Sequence, residues 1–223
     1  MKSYLRFLSR NKLYTAIEVA GLGIALAFVV FIATFVAGEL GYDKDLRNTE
    51  NIYVGHEDHF SIMSYTAGDL VKETCPEVEE VCRFLSTAAI GGVAMEKTVG
   101  EETTPQNAII ADTSFFRFFT FPFVEGRGED ALSQPDAVVV SESFAKAHWG
   151  SKSPLGEKLQ ITVGNGKKDL FIAGVYEDIK RSVFPKAEII YGIHHIKEMY
   201  PDLIREGNGT AVSFYRITAG ADL

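Results

Sequence analysis

The most regular hydrophobic pattern in the chain is an uncharged apolar segment near its N-terminus. Residues 19–38 read VAGLGIALAFVVFIATFVAG, twenty residues without a charged side chain. A helix rises about 1.5 Å per residue, so this segment would span roughly 30 Å, the thickness of the hydrocarbon core of a bilayer. A helix buried in a soluble domain normally keeps a polar face. The pattern therefore predicts a transmembrane helix, placed with its flanks at residues 16–42, and a lipid bilayer around it.

A cleaved signal peptide is the alternative interpretation of this segment. The apolar region of a signal peptide usually has about 7–15 residues and ends in a small-x-small cleavage site. Here the apolar run is longer, and Phe35-Val36-Ala37-Gly38 is a poor cleavage site. The sequence therefore favours an uncleaved membrane anchor.

Small residues recur four positions apart within the predicted transmembrane helix. Such spacing lets a second helix approach closely, because membrane helices associate through packing rather than through the hydrophobic effect. Glycine and alanine are also common in membrane helices in general, so the pattern is not specific. It nevertheless predicts packing against other membrane helices through three pairs: Gly21 with Ala25, Gly23 with Ala27, and Ala33 with Ala37.

Charge is distributed unevenly along the 223-residue chain, which carries a formal net charge of −8. Residues 1–12 hold four basic and no acidic residues, whereas residues 39–223 hold 18 basic and 29 acidic residues, a net charge of −11. Under the positive-inside rule, residues 1–15 are predicted to form a cytoplasmic amphipathic segment and residues 43–223 a domain on the opposite side. The acidic balance argues against nucleic acid as a partner, because phosphates would be repelled.

Short strand patterns and short helix patterns mix in residues 43–223 without strict βαβ repetition, which predicts an α+β fold. A hairpin is predicted from Leu159 to Val175 around the turn Gly164-Asn165-Gly166. Alternating apolar residues and short apolar runs predict further strands at residues 51–55, 81–88, 106–111, 187–193 and 211–217.

Helices are predicted at fewer positions in the same domain. One covers residues 66–74, one runs from an Asp112 N-cap through Phe119, and one runs from a Ser141 N-cap through His148. A helical turn near residues 196–200 should stop at Pro201. The polar stretch 98–105 is predicted to be a loop between two sub-lobes.

Six phenylalanines fall between residues 115 and 123. Phe115, Phe118 and Phe119 would share one face of a helix, and Phe121 and Phe123 would alternate in an extended segment. An aromatic substrate site would use the same residue types. Because aromatic residues dominate protein cores, the pattern predicts core packing.

The histidines of the chain do not form a convincing catalytic or metal site. His56-Glu57-Asp58-His59 is a tight group of candidate ligands, but a strand end would direct His56 and His59 to opposite faces, so we predict a solvated loop. The side chains of His194 and His195, at a strand-to-helix junction, are predicted to diverge. His148 would lie at the C-terminal end of a helix, where a cation is favoured.

Sequence signatures of several enzyme classes are also missing. The chain contains no G-x-x-x-x-G-K-[ST], no G-x-G-x-x-G and no G-x-S-x-G. Cys75 and Cys82 are close enough in sequence to form a disulfide, although two buried free thiols are the favoured prediction. We therefore predict a non-enzymatic chain with no catalytic residue, no metal site and no cofactor.

Several segments in order along the chain match a known pattern. The most specific is 114–126, from Ser114-Phe115-Phe116 to Phe121-Pro122-Phe123-Val124-Glu125-Gly126. The others are Asn11-Lys12 before Gly21-Leu22-Gly23, Glu50-Asn51-Ile52-Tyr53, Pro76-Glu77-Val78-Glu79 with Arg83, Pro135 to Glu142, Trp149-Gly150 with Ser153-Pro154-Leu155-Gly156, and Phe171 to Val175. Together they resemble the N-terminal part of the permeases of MacB/FtsX-type ABC transporters.

This resemblance implies a first transmembrane helix followed by a MacB-like periplasmic core domain in the bacterial inner membrane. It implies as partners a cytoplasmic ABC ATPase subunit or domain, other permease helices in a dimer, and in some members a periplasmic adaptor. ATP hydrolysis would belong to the ATPase. Because the chain ends at Leu223 before any second span, we expect residues 43–223 to be an incomplete core domain.

The expected function is to couple ATP-driven motion of the membrane helix to export or to a periplasmic partner. No proline separates Glu39 from Leu46, so the helix is predicted to continue into the domain. The alternative is a bacterial sensor with a periplasmic ligand-binding domain. A membrane-anchored extracytoplasmic enzyme is disfavoured because no catalytic cluster is present.

Overall fold

The structure, a computed structural model, describes residues 12–39, 46, 49, 51–56, 61–126, 128–178, 182, 184–204 and 209–221. The chain divides into two compact units, residues 1–44 and residues 45–223. The second unit is called the sheet domain below.

The first unit contains helix α1, Lys12–Glu39, which has 28 residues and no buried side chain. Among the described residues it is the one helix long and apolar enough to cross a membrane. The predicted N-terminal segment 1–15 lies largely outside the described residues, as do residues 40–45, where the helix was predicted to continue.

The sheet domain contains short helices and mostly short strands. The helices are α2 Ala67–Thr74, α3 Phe115–Phe119, α4 Glu142–Trp149 and α5 His194–Met199. Short 3-10 turns cover Thr87–Ala89, Ala131–Ser133 and Pro201–Ile204. The strands are β1 Ile52–Val54, β2 Ile62–Ser64, β3 Val78–Ser86, β4 Met95–Val99, β5 Glu102–Pro105, β6 Ala108–Ala111, β7 Phe123–Gly126, β8 Ala137–Ser141, β9 Lys158–Val163, β10 Gly166–Tyr176, β11 Ile189–Gly192 and β12 Gly209–Ile217.

The described strands form one mixed sheet in the order β1-β12-β3-β6-β11-β8-β10-β9-β4-β5, while β2 also pairs with β12 and β7 with β10. Strand β8 runs parallel to β10, and β6 runs parallel to β11, but β11 and β8 are antiparallel. This mixture of parallel and antiparallel pairs confirms the α+β prediction.

Both faces of the central strands are buried, which explains their continuous apolar runs. Side chains alternate between the faces, so Val138 and Val140 enter one core while Val139 enters the other. Helices α4 and α5 cover the first face through residues such as Phe144 and Ile196. Helix α3 covers the second face, where the phenylalanines collect.

Several local predictions are confirmed. The Ser141 hydroxyl accepts a hydrogen bond from the Phe144 N–H at 3.2 Å and so caps α4. The predicted hairpin is formed by β9 and β10, which pair from Val163 with Gly166 to Lys158 with Phe171. His148 lies in the last turn of α4 and is exposed.

The prediction of a loop at residues 98–105 is wrong. Strands β4 and β5 form an antiparallel hairpin there, from Glu96 opposite Pro105 to Val99 opposite Glu102. The polar composition reflects a strand at the end of the sheet, where few side chains need to be buried. Gln106, just after β5, holds this hairpin by donating to the carbonyls of Glu96 and Thr162.

The prediction that Asp112 caps a helix is also wrong. Helix α3 begins at Phe115 after an uncapped Ser114, and the Asp112 carboxylate instead contacts Arg83 and Tyr65. The prediction that the helical turn near residues 196–200 stops at Pro201 is confirmed, because α5 ends at Met199 and Tyr200 leaves the helical conformation. A separate 3-10 turn begins at Pro201, where a missing N–H costs no hydrogen bond.

Candidate functional site

The predicted packing residues of α1 are all exposed, but they do not form one line along the helix. At about 100° per residue, Gly21 and Gly23 point in nearly opposite directions. Each predicted pair keeps its own direction, and the pair of Ala33 and Ala37 lies between the other two. The three pairs therefore cannot all contact one neighbouring helix.

A single line of residues that are all small except for one valine does exist on α1, at a spacing of alternating four and three positions. This spacing keeps a line on one face of a helix and is typical of left-handed helix packing. The hydroxyl of Thr34 bonds to the carbonyls of Val30 and Phe31, both at 2.9 Å, so its polar group is satisfied within the helix. The line, called the small-residue face below, consists of Ala16, Ala20, Gly23, Ala27, Val30, Thr34 and Ala37.

Leu46, the first described residue of the sheet domain, lies in its core. Its side chain is only 6% exposed and packs in the same core as the phenylalanines of α3. No sequence pattern singles out Leu46, because an isolated leucine in a polar stretch carries no periodicity. Leu46 is therefore held in place within the sheet domain and is called a fixed point below.

Strand β1 provides a second fixed point, because it pairs with β12 from Ile52 opposite Arg216 to Val54 opposite Phe214. Arg216 donates a hydrogen bond to the carbonyl of Phe118 at 2.7 Å, and its guanidinium lies 4.6 Å from the centre of the Phe118 ring. A cation over an aromatic ring is attracted by the negative face of the ring. Arg216 therefore connects β12 to α3 at the point where β12 pairs with Ile52 of β1.

The core around α3 is aromatic, as the sequence predicts, and it contains more of the helix's phenylalanines than the predicted three. Phe116, which was not assigned to the shared face, is also buried together with Phe115, Phe118 and Phe119. Ring centroids lie 4.6 Å apart for Phe119 and Phe184, and neighbouring rings meet mostly edge to face. Helix α3 can bury all four rings because its five residues are enclosed on several sides.

A partly buried ion-pair network joins α2, β3 and the end of β6. Arg83 contacts Asp112 at 2.9 Å and Asp69 at 2.7 Å, and the Tyr65 hydroxyl donates to Asp112 at 2.6 Å. The Arg83 guanidinium also lies 4.1 Å from the centre of the Tyr65 ring. Burial raises the pKa of Tyr65, and the Asp112 carboxylate raises it further. Because its groups are paired with one another, the network is structural.

A cavity of about 290 Å³ lies at the end of the sheet where β8 and β10 finish and β6 and β11 begin. Its apolar wall includes Ile109, Phe121 and Ile190, and its polar rim includes Asp178 and Glu188. Asp178 accepts hydrogen bonds from the backbone and hydroxyl of Ser143, at 3.1 and 3.2 Å, while Glu188 pairs with Lys97 at 2.7 Å. Both of these rim carboxylates are thus already engaged by neighbouring groups.

The two cysteines are free thiols. Cys82 is fully buried in the phenylalanine core on the second face of the sheet, whereas Cys75 is half-buried beside Val78 and Val81 in a separate cluster next to α2. The prediction of free thiols is confirmed, although Cys75 is less buried than expected. Side chains in these two clusters face away from each other, which prevents a disulfide.

The paired histidines differ from their prediction. The rings of His194 and His195 do not diverge but lie with their centroids 4.0 Å apart. The His194 ring folds back over Gly192, where an added Cβ would lie 2.3 Å from the ring. Of the other group, His56 is exposed, and residues 57–59 lie outside the described residues. Among the residues that the structure describes, no group of three or more His, Cys, Asp or Glu side chains could hold a metal ion.

Two of the recognised motifs meet beside β10. Ser153 donates to the Glu125 carboxylate, and Leu155 packs against Gly126. Gly126 has a φ of +87°, and a Cβ at this position would lie 2.4 Å from the Ala173 carbonyl oxygen. The motif glycine is thus required by a close backbone approach.

Comparison with known proteins agrees with this architecture. The sequence profile of the MacB-like periplasmic core domain matches residues 15–206. The chain belongs to this family. Membership identifies it as a component of a MacB-type ABC transporter permease assembly, which works with an ATPase, and as an inner-membrane protein. No curated protein shows significant sequence similarity to the chain.

Solved structures show the same fold at low sequence identity. A domain of a Porphyromonas gingivalis protein described as a permease is 21% identical with a TM-score of 0.63, covering 80% of each chain. The periplasmic region of MacB from Actinobacillus actinomycetemcomitans is 16% identical with a TM-score of 0.53, covering 80% of this chain and 82% of that one. The extracellular domain of the ABC-type transporter YknZ from Gram-positive bacteria is 15% identical with a TM-score of 0.50, covering 76% and 83%.

Proposed function

We propose that this chain carries ATP-driven motion of its membrane helix into an extracytoplasmic sheet domain, which acts on an exported substrate or a periplasmic adaptor. The ATPase would bind on the cytoplasmic side and alone hydrolyse ATP. The observation that carries the proposal is the burial of Leu46 in the phenylalanine core, seven positions after the end of α1. Displacement of the helix would reach the sheet domain at this buried side chain.

Contacts within the sheet domain support one path for the proposed motion. From Leu46 and β1 the motion would reach β12, since Ile52 and Arg216 are register partners. Arg216 would pass it to α3 through the Phe118 carbonyl. Because close-packed cores resist gradual deformation, such a displacement would move these elements together.

Replacement of Leu46 tests the proposed coupling of ATP hydrolysis to transport. We expect Leu46→Ala, in the full transporter reconstituted with its ATPase, to lower transport per ATP hydrolysed several-fold while ATP hydrolysis continues. Leu70→Ala is the matched control, because Leu70 is 62% exposed on α2. A Gly-Gly insertion at Gly41 should also uncouple transport from hydrolysis. Unchanged coupling in both Leu46→Ala and the insertion would refute the proposal.

The orientation is also part of the proposal, with the N-terminus in the cytoplasm and the sheet domain outside. Its support is the charge asymmetry about α1. Single cysteines introduced at Lys12 and at Lys152, in a variant without native cysteines, should separate the two sides. An impermeant maleimide added to intact spheroplasts should label only position 152, and labelling of position 12 alone would reverse the orientation.

Packing of α1 against other permease helices, in a dimer, is proposed to use the small-residue face. Of the pairs predicted from sequence, this face includes Gly23, Ala27 and Ala37 and leaves out Gly21, Ala25 and Ala33. Membership of a permease family also favours the transporter over a sensor, the alternative function for a span followed by an external domain.

A further inference from the structure

His195 is an unusual buried residue in the sheet domain. It lies in the first turn of α5 and is 0% exposed. Its ring packs between His194, with centroids 4.0 Å apart, and Tyr191, with centroids 6.1 Å apart. An imidazole in this position is held away from water by its own helix and by the core on the first face of the sheet.

Neither ring nitrogen of His195 has a hydrogen-bond partner among the described residues. Its neighbour differs, because Nε2 of His194 lies 2.9 Å from the Pro135 carbonyl oxygen. A buried polar group without a partner is costly, and a buried charge without one is far more costly. The neutral imidazole is therefore tolerated at this site, whereas the imidazolium is not.

The charged groups around His195 do not offer a compensating partner. Lys168 from β10 pairs with Glu198 of α5 at 2.6 Å and lies 3.6 Å from Asp136, which precedes β8. Both carboxylates thus already face a lysine. Burial lowers the pKa of His195 to about 4, with further lowering by His194 and Lys168 and an opposing effect of Asp136 and Glu198.

Helix α5 is the element that can give way. It has only six residues, too few to be stable without its packing, whereas the strands beneath it are central in the sheet. Its side chains attach it through a small set of contacts: the His194 bond to Pro135, the Lys168–Glu198 pair, the Lys197 ammonium over the Tyr65 ring, and the packing of Ile196 and Met199 on the core. Lifting α5 would bring the His195 ring into water without breaking the sheet.

We propose that His195 makes α5 an acid-sensitive latch, which releases from the first face of the sheet when the imidazole is protonated. Release would uncover the core beneath Ile196 and the 3-10 turn that follows α5. The device does not depend on the proposed transport function, because it follows from groups within the sheet domain.

The direction of the pH effect follows from proton linkage. In the released state the His195 imidazole binds a proton near pH 6.5, whereas in the folded state it does so only near pH 4. The attachment of α5 is therefore fully stable above pH 6.5 and loses stability as the pH falls from there toward 4. At pH 5 the opening equilibrium should be favoured ~30-fold over its value at high pH through this one group.

The experiment measures hydrogen exchange of the full chain in nanodiscs at pH 7 and pH 5, with protection factors corrected for intrinsic exchange. We expect protection over residues 194–199 to fall at least tenfold at pH 5 in the wild type, while β8 stays protected. In His195→Leu this fall should be absent. His148→Leu, which removes an exposed imidazole, should behave as the wild type does.

Two outcomes would overturn the proposal. One is wild-type protection over α5 that does not change between pH 7 and pH 5. The other is a folded His195→Leu variant that loses protection over α5 at pH 5 as much as the wild type. If His195→Leu fails to fold, His195→Phe replaces it, and the wild-type exchange alone still decides whether α5 opens.

Discussion

Individual side chains stabilise this fold mainly by being buried and by pairing with groups of opposite charge. Arg83 is the clearest case, because one guanidinium contacts Asp69, Asp112 and the carbonyl of Tyr65. Its side chain is 11% exposed and that of Asp112 is 13% exposed. Removal of one partner from such a pair leaves the other as an uncompensated charge.

Arg83→Met should therefore lower the free energy of unfolding by about 3 kcal/mol or more. Arg117→Met is the control, since Arg117 is 56% exposed and contacts Glu80 at 3.3 Å. Loss of that exposed pair should cost less than about 1 kcal/mol. Urea unfolding of both variants measures the difference, and equal losses would show that the Arg83 network does not stabilise the fold.

A substitution at Gly126 tests the close approach of the β7 backbone to the β10 backbone at Ala173. Gly126→Ala should destabilise the sheet domain strongly for two reasons. The new Cβ would collide with the Ala173 carbonyl oxygen, and alanine would be forced into a backbone conformation with a positive φ. Gly100 has a φ of +60° with open space around it, so Gly100→Ala isolates the conformational cost, about 1–2 kcal/mol. We expect at least twice that loss for Gly126→Ala in thermal or urea unfolding. A loss no greater than that of Gly100→Ala would contradict the steric explanation.

At the scale of elements, α3 shows how a short helix can organise a core. It has five residues, of which four are buried phenylalanines. Helices this short are unstable alone, so the aromatic packing must hold α3 in place. The same core cluster also contains Leu46.

Phe119→Ala should cost about 3–5 kcal/mol, as is typical for large cavities in a core. Phe171→Ala provides the control on β10, because Phe171 is 49% exposed. Its loss should be under about 1 kcal/mol. Urea unfolding of both variants measures the two losses. Similar losses for Phe119→Ala and Phe171→Ala would mean that the α3 cluster is loosely packed.

Helix α1 allows an equally direct comparison between two glycines. Gly23 lies on the small-residue face and Gly21 points nearly the opposite way. Gly23→Leu should weaken association of the chain in nanodiscs at least tenfold, measured by energy transfer between labelled copies, while Gly21→Leu should leave it unchanged. Weakening by Gly21→Leu alone would place the contact on the other side of the helix.

The whole molecule consists of two units whose stabilities have different origins. None of the residues in the three apolar core clusters comes from α1. In water, the apolar surface of α1 would be exposed, whereas in a bilayer it is solvated by lipid. The sheet domain has its own cores on both faces of its sheet.

Residues 45–223 alone should therefore fold with an unfolding midpoint close to that of the full chain in detergent. Circular dichroism and urea titration of the two proteins provide the measurement. A sheet domain that is unfolded without α1, under conditions in which the full chain is folded, would show that the helix contributes to its core.

The sequence by itself determined the membrane helix, the α+β class and the family, because each depends on local composition or on motifs that stay in order along the chain. It also predicted the Ser141 cap and the β9–β10 hairpin, whose signals are a few residues long. The tertiary structure decided what depends on distant neighbours. Asp112 binds Arg83 and Tyr65 instead of capping α3, the polar stretch 98–105 forms an edge hairpin, and the rings of His194 and His195 lie close together instead of diverging. Such contacts join residues far apart in sequence or depend on packing around them, and no local pattern encodes them.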